Sequence, residues 1–251
     1  MNKISWLPTI TRYGAEQMAC DEALLNKINK ESSAIFRFYN WSEPTISLGY
    51  FQNYVTFTSK FTHLCNLAIV RRQTGGGAII HDKEITYALI MPAESELYRQ
   101  GAMSAYILAH TAIARVMEQL GVHLDLRPKS LDYMRIKSEP EFCFARPCPT
   151  DLICPVGKMV GSAQRRLPGA FLQHGSIMLA NRFPDQPMAA LSELTKNIPS
   201  QQELEILIVK ELEVLLGMKF ERREFMADEM EEAEKLVDKY RSERWTVRRE
   251  K

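Results

Sequence analysis

The chain has 251 residues, 45% hydrophobic and 25% charged, the proportions of a globular protein with a sizeable core. Its 32 basic and 31 acidic residues leave a net charge of +1, which speaks against a broad cationic surface for nucleic acid. No apolar run reaches bilayer length, and the opening Met1-Asn2-Lys3-Ile4-Ser5-Trp6-Leu7-Pro8 has no apolar signal core, so neither a membrane nor a nucleic-acid partner is expected.

In chain order, Tyr13 to Glu31 reads as an amphipathic helix, with Met18, Ala19, Glu22, Leu25 and Ile28 at three- and four-residue steps. Strands are expected at Ile35–Tyr39 and Thr45–Leu48, with Ser42-Glu43-Pro44 turning between them. More follow at Leu67–Arg71, Ala78–His81 and Thr86–Ile90. Met103 to Leu120 is a second helix, stopped by Gly121. The pattern is poor from Leu126 to Glu141. Short apolar pieces then appear at Asp151–Cys154, Lys158–Ala163, Ala170–Gln173 and Ser176–Leu179. Pro155-Val156-Gly157 and Leu167-Pro168-Gly169 punctuate them as hairpin turns. Gln201–Leu216 is a third helix. From Met226 a charged segment carries Leu236, Tyr240 and Trp245 on one face, as a docked surface helix would. No repeat or linker interrupts the chain, so a single domain spanning 1–251 is expected. Strands and helices come in blocks, which favours an α+β fold: a mixed or antiparallel central sheet flanked by helices.

Two stretches carry chemistry. The first is Arg71-Arg72-Gln73-Thr74-Gly75-Gly76-Gly77-Ala78-Ile79-Ile80-His81, two cations and three glycines between strands. Glycine lets a ligand approach the backbone, and successive N–H groups in such a turn attract an anion or a carbonyl oxygen. The second is Lys158-Met159-Val160-Gly161-Ser162-Ala163-Gln164, followed by Gln173-His174-Gly175. Of the five cysteines (Cys20, Cys65, Cys143, Cys148 and Cys154), Cys143 lies fifteen residues before Lys158, between Phe142 and Phe144. The odd count fits free thiols in the cytoplasm better than a disulfide framework. Cys143, Cys148 and Cys154 form no CxxC pair and lack a fourth ligand, so no metal site is expected.

Together these stretches resemble the biotin/lipoate protein ligase superfamily. Arg71–His81 is similar to its RRxTGGGAxxH motif, and His81-Asp82-Lys83-Glu84-Ile85-Thr86-Tyr87 to HDxELTY. Lys158–Gln164 is similar to K(I/V)xGSAQ, Leu172–Gly175 to LQHG, and Trp41–Gln52 to WxxPxxSLG-x-x-Q. The likeness extends from Met18 and Asp21-Glu22-Ala23-Leu24-Leu25 to Tyr240 and Trp245. Nothing matches the GRGRxGR of biotin ligases. The Cys143-Phe144 pair upstream of Lys158 resembles the thiol-dependent octanoyl-acyl-carrier-protein:protein N-octanoyltransferase branch. Gly76-Gly77-Ala78 stands where some members of that branch have GGRA. The alternative is an ATP-dependent lipoate–protein ligase acting through lipoyl-AMP with ATP and Mg. A non-catalytic lipoyl-domain-binding subunit is a third reading.

The octanoyltransferase resemblance implies no cofactor. It implies octanoyl-acyl carrier protein as donor and an apo lipoyl domain as acceptor, of the glycine cleavage H protein or 2-oxoacid dehydrogenase E2 type. It makes Cys143 the acyl-accepting nucleophile and Lys158 its cationic partner. A free thiol titrates near ~8.5, and a neighbouring cation lowers that value. Arg71, Arg72, Thr74, Gly75, Gly76, Gly77, Ala78 and His81 on the first stretch are then expected to bind substrate. So are Gly161, Ser162, Ala163, Gln164, His174 and Gly175 on the second. If Arg71 and Arg72 lie on a strand they face opposite sides, so one reaches the ligand and the other is structural. His81 and His174 are both candidates for deprotonating the incoming amine, and each is equally a candidate brace for the turn.

Overall fold

In chain order the strands are β1 (Lys3–Arg12), β2 (Ala34–Trp41), β3 (Thr45–Leu48), β4 (Ala68–Arg71), β5 (Ile79–His81) and β6 (Glu84–Pro92). They continue as β7 (Asp125–Leu126), β8 (Leu152–Cys154), β9 (Gly157–Leu167), β10 (Ala170–Met178) and β11 (Lys219–Arg222). The helices are α1 (Gly14–Lys27), α2 (Tyr54–Lys60), α3 (Glu96–Arg99), α4 (Ala102–Gln119), α5 (Leu191–Leu194), α6 (Gln201–Leu216), α7 (Ala227–Arg241) and α8 (Glu243–Thr246). This computed structural model describes residues 3–28, 34–128 and 140–250. The end of the expected first helix, Asn29–Glu31, and most of the poorly patterned 126–141 stretch lie outside them.

The larger sheet has the order β11-β1-β2-β6-β10-β9-β8-β7, and a smaller one has the order β4-β3-β5. β1 runs parallel to β2 and β11, while β2, β6, β10, β9 and β8 are successive antiparallel neighbours. The large sheet is therefore mixed and flanked by helices, as the blockwise pattern implies. β2 shows how it is sandwiched. Phe36 and Phe38 point into a core with α4 (Ala105, Ala109, Ile113) and α6 (Leu204, Ile208, Leu212). Ile35 and Tyr39 point the other way, onto α1 (Met18, Ala19, Leu25) and Tyr240 and Trp245. Period-two alternation thus buries both faces of one strand. The α6 ends are set locally. Ser200 and Glu203 form a reciprocal capping box, and Gly217 closes the helix at φ 63°.

Six elements escape the pattern reading: β1, α2, α3, β7, α5 and β11. β1 contains Pro8, which falls where its register with β2 shifts between Leu7 and Ile10, a place where a missing N–H is tolerated. β11 is an edge strand of Lys-Phe-Glu-Arg with no buried face. α2 has a β-prone sequence, Tyr-Val-Thr-Phe-Thr, but Asn53 caps it by accepting from Thr56 N–H at 2.9 Å. Two expectations need correction. The pieces Ala170–Gln173 and Ser176–Leu179 are one strand, β10, whose polar centre is buried. Trp245 sits on the short α8 rather than on the helix that carries Leu236 and Tyr240.

Candidate active site

The glycine turn joins β4 to β5, and two guanidinium groups shape it. Arg71 donates to the carbonyls of Gly49, Gln52 and Thr246 at 2.9, 2.8 and 2.9 Å. Arg72 donates to Ser47 O (2.7 Å), Ser47 Oγ (2.9 Å), Gly75 O (2.9 Å) and Gly77 O (2.6 Å). Burial pushes both guanidinium pKa values down to about 10. Arg72 lines the cleft described below, whereas Arg71 ties the turn to α8, whose Trp245 indole N–H donates to Arg71 O.

The turn also grips a distant segment. Ala78 N–H donates to Glu141 O (2.7 Å), and Cys143 N–H donates to Ala78 O (2.8 Å), forming a parallel bridge between Ala78 and Phe142. A Cβ on Gly77 would stand 2.7 Å from both Cys143 N and Glu141 O, so only glycine admits this approach. The close approach expected of the turn is thus made first by its own chain.

That bridge sets Cys143 at the start of a 3₁₀ turn, Cys143–Ala145, with the residue only 7% exposed. Lys158 reaches it from β9. Its Nζ lies 3.8 Å from Cys143 Sγ, donates to Cys143 O at 3.2 Å, and stands 5.4 Å from the Phe144 ring centroid. Asp151 Oδ1 accepts from the same Nζ at 2.9 Å. The lysine lies across Gly161, where a Cβ would meet Cε at 2.5 Å and Nζ at 2.8 Å. Burial opposes charge on Lys158, but Cys143 and Asp151 outweigh it and raise its pKa, so the ammonium form is held. Burial pushes the Asp151 carboxyl up, and Lys158 pulls it back. Cys148 is exposed, and Cys154 Sγ is turned toward Gly157 O at 3.6 Å. Among the described residues, no three His, Cys, Asp or Glu side chains are grouped to hold a metal ion.

A cleft of about 350 Å³, open mouth included, runs from Cys143 past Gly161, Ser162 and Ala163. Its other walls include Met18, Tyr39, Trp41 and Ile79, which sequence reasoning did not identify. His81, His174 and Gly175 line it too. Both rings of the imidazole pair are fully engaged. His81 bridges Glu84 Oε1 (2.7 Å, Nδ1) and Ser47 Oγ (2.7 Å, Nε2), and its face stacks on Trp41 at 3.8 Å. Burial lowers the His81 pKa despite Glu84. His174 bridges Asp21 Oδ2 (3.1 Å, Nδ1) and Thr74 Oγ1 (2.6 Å, Nε2). Asp21 is held as carboxylate: burial alone would raise its pKa, but Arg37, at 2.6 Å, and His174 lower it. Each ring therefore donates Nδ1–H to a carboxylate and accepts a hydroxyl at Nε2, leaving no lone pair for an incoming amine. Thr74 braces His174, and Gln164 is spent on Ala102 O and Gln173 Oε1, away from the cleft.

Sequence reasoning also passed over Asp151 and His110. His110 is 1% exposed and joins Thr150 O to Ser162 Oγ. A lone histidine inside a helix gives no spacing signal, and nothing in the sequence pairs Asp151 with Lys158.

The arrangement of a mixed sheet, a glycine turn and a lysine on the facing strand has relatives. The lipoyl protein ligase A/B catalytic domain model matches residues 14–228, and the chain belongs to that family. Within it, the octanoyltransferase LipM of Staphylococcus epidermidis is 30% identical, over 92% of this chain and 94% of its own. The octanoyltransferase LipM of Exiguobacterium sibiricum is also 30% identical, over 94% of this chain and 95% of its own. The fold is shared with a lipoate-protein ligase A solved with ATP, at TM-score 0.76 and 21% identity, covering 98% of this chain and 99% of the other. It is shared too with a bipartite lipoate protein ligase system from Thermoplasma acidophilum, at TM-score 0.72 and 20% identity, covering 98% and 96%.

Proposed function

We propose that this protein is an octanoyltransferase of protein lipoylation. It moves an octanoyl group from acyl carrier protein to a lysine of an apo lipoyl domain, through a thioester on Cys143, without nucleotide. The observation that carries the reading is the buried Cys143 thiol 3.8 Å from the Lys158 ammonium at one end of an apolar cleft. Octanoyltransferase relatives similar over nearly the whole chain support it.

In the first step the Cys143 thiolate attacks the carrier thioester carbonyl. A C–S bond to Cys143 forms, the carrier C–S bond breaks, and the carrier leaves as its thiolate. One thioester replaces another, so the step is nearly balanced in energy. In the second, the neutral acceptor lysine amine attacks the Cys143 thioester; an amide C–N bond forms, the C–S bond breaks, Cys143 departs as thiolate, and the nitrogen gives up one proton to solvent while keeping the other as the amide N–H. Amide formation drives the sequence forward. Lys158 Nζ has one N–H on Asp151 and one on Cys143 O, and the third turns toward Sγ and the carbonyl oxygen bonded there. Such a fixed donor at a developing oxyanion lowers the barrier by roughly 3–4 kcal/mol. The acyl chain lies along Met18, Tyr39 and Trp41, each buried methylene contributing ~0.8 kcal/mol.

Single-turnover transfer tests the proposal. Octanoyl-acyl carrier protein, the enzyme and an apo lipoyl domain should yield octanoylated domain with no ATP present. Acylation that requires both ATP and free acid would establish the ligase reaction instead.

A further inference from the structure

We infer that His110 on α4 is a positioning residue for the reacting pair, acting through Thr150 and Asp151. Its two nitrogens have opposite duties. Thr150 O is only an acceptor and lies 2.5 Å from Nδ1, so Nδ1 carries the proton. Nε2 then accepts from Ser162 Oγ at 2.7 Å, and Ser162 Oγ accepts from Tyr87 OH at 2.6 Å. Burial pushes the His110 pKa down to about 4, which keeps this single neutral tautomer.

The carbonyl that His110 holds belongs to a backbone that needs holding. Thr150 has φ 72°, a left-handed conformation unfavourable for a β-branched residue. The next residue is Asp151, which accepts from Lys158 Nζ at 2.9 Å and, through Oδ2, from Cys148 N–H at 2.8 Å. Fixing the plane of the Thr150–Asp151 peptide fixes where the carboxylate points, and so where Nζ stands relative to Cys143 Sγ. On its other side His110 holds Ser162, the neighbour of the Gly161 that Lys158 crosses. Both supports of the lysine are thereby referred to one ring on α4. The titratable groups around them are Cys143, Cys148, Asp151, Arg127, Tyr87, Tyr106 and Lys158 itself.

The inference rests on the reading of Cys143 and Lys158 as the reacting pair, and its test separates the two. Cys143 alkylation by iodoacetamide, followed on the Cys143 peptide across pH, needs no acyl donor. His110→Gln keeps an acceptor for Ser162 but loses the donor to Thr150 O, while His110→Asn keeps that donor. His110→Gln and Asp151→Asn should displace the alkylation midpoint in the same direction by similar amounts, and the double variant should move it no further. His110→Gln should also lower kcat for transfer by about 10²-fold with little change in KM, as a misplaced reacting group does. His110→Asn should retain most of both. A wild-type midpoint in His110→Gln, additive displacements in the double variant, or equal damage from His110→Asn would overturn the inference. If His110→Gln does not fold, ¹⁵N NMR of the wild-type ring decides: protonated Nδ1 and bare Nε2 at neutral pH are expected, and the opposite tautomer refutes the inference.

Discussion

Around His81 and His174, every imidazole nitrogen has a protein partner, and the partners are themselves paired. Around Cys143, a thiol lines the same cleft and a buried ammonium stands behind it, with one N–H of Lys158 turned toward the sulfur. The histidine side is closed, with every ring nitrogen engaged and the His81 face stacked on Trp41. The cysteine side keeps charge available. The contrast teaches that most motif residues of a site can be its framework, while the nucleophile comes from a segment the glycine turn only grips and meets a single motif lysine there.

Three substitutions and one change of pH bear on that division of roles. Asp21→Ala strips a buried carboxylate from Arg37, which is 0% exposed, and from His174. Loss of one partner from such a pair costs about 3–5 kcal/mol, so urea unfolding should shift by that much. A shift below about 1 kcal/mol, the range of exposed pairs, would mean the histidine side is not a rigid frame. Lys158→Ala should lower the rate of transfer by about 10²–10³-fold while leaving the fold intact, as removal of one oxyanion donor does. Full activity in that variant would remove Lys158 from the chemistry.

Acid should act on the support of the Cys143–Lys158 pair through His110. Its folded pKa, about 4, lies below the ordinary histidine value of 6.5, so the unfolded chain binds the extra proton between those values. Stability is fully present above pH 6.5 and is lost as pH falls through 4, by about 3 kcal/mol from this residue. Unfolding free energies measured across that window should show a steeper slope in the wild type than in His110→Asn, which keeps only the share of other groups such as His81, whose pKa burial also lowers. Last, Gly161→Ala should displace the Lys158 side chain, since the new methyl meets Cε at 2.5 Å. Overpacking of this sort costs about 1–3 kcal/mol, and the flexible lysine absorbs part of it. We expect a folded protein with transfer reduced toward the Lys158→Ala level; unchanged transfer would place the functional lysine elsewhere.

Much of the fold was legible because long helices advertise their period. α1, α4 and α6 fall within a few residues of the expected spans. Three of the missed elements have a local sequence that contradicts their state: Pro8 inside β1, an exposed β11, and β-prone residues in α2. The other three, α3, β7 and α5, have four residues or fewer, too short to show a period. In sequence β10 resembles two pieces because Gln173, His174 and Ser176 look like a polar break, yet they are buried and hydrogen-bonded on the sheet. In the site, spacing linked Cys143 to Lys158 but carried no distance. The bridge between Ala78 and Phe142 supplies it. Asp151 and His110 left no trace in the sequence, because a tertiary turn at Thr150 and a helix packed across β9 bring them in.

Cys143 is the proposed acyl-accepting group. Its most direct test is peptide mapping by mass spectrometry after incubation with octanoyl-acyl carrier protein alone. The prediction is one octanoyl mass increment on the peptide carrying Cys143, absent from Cys143→Ala and discharged by an apo lipoyl domain. An increment on the peptides of Cys148 or Cys154, or none on any peptide from an enzyme that still transfers octanoyl, would contradict it.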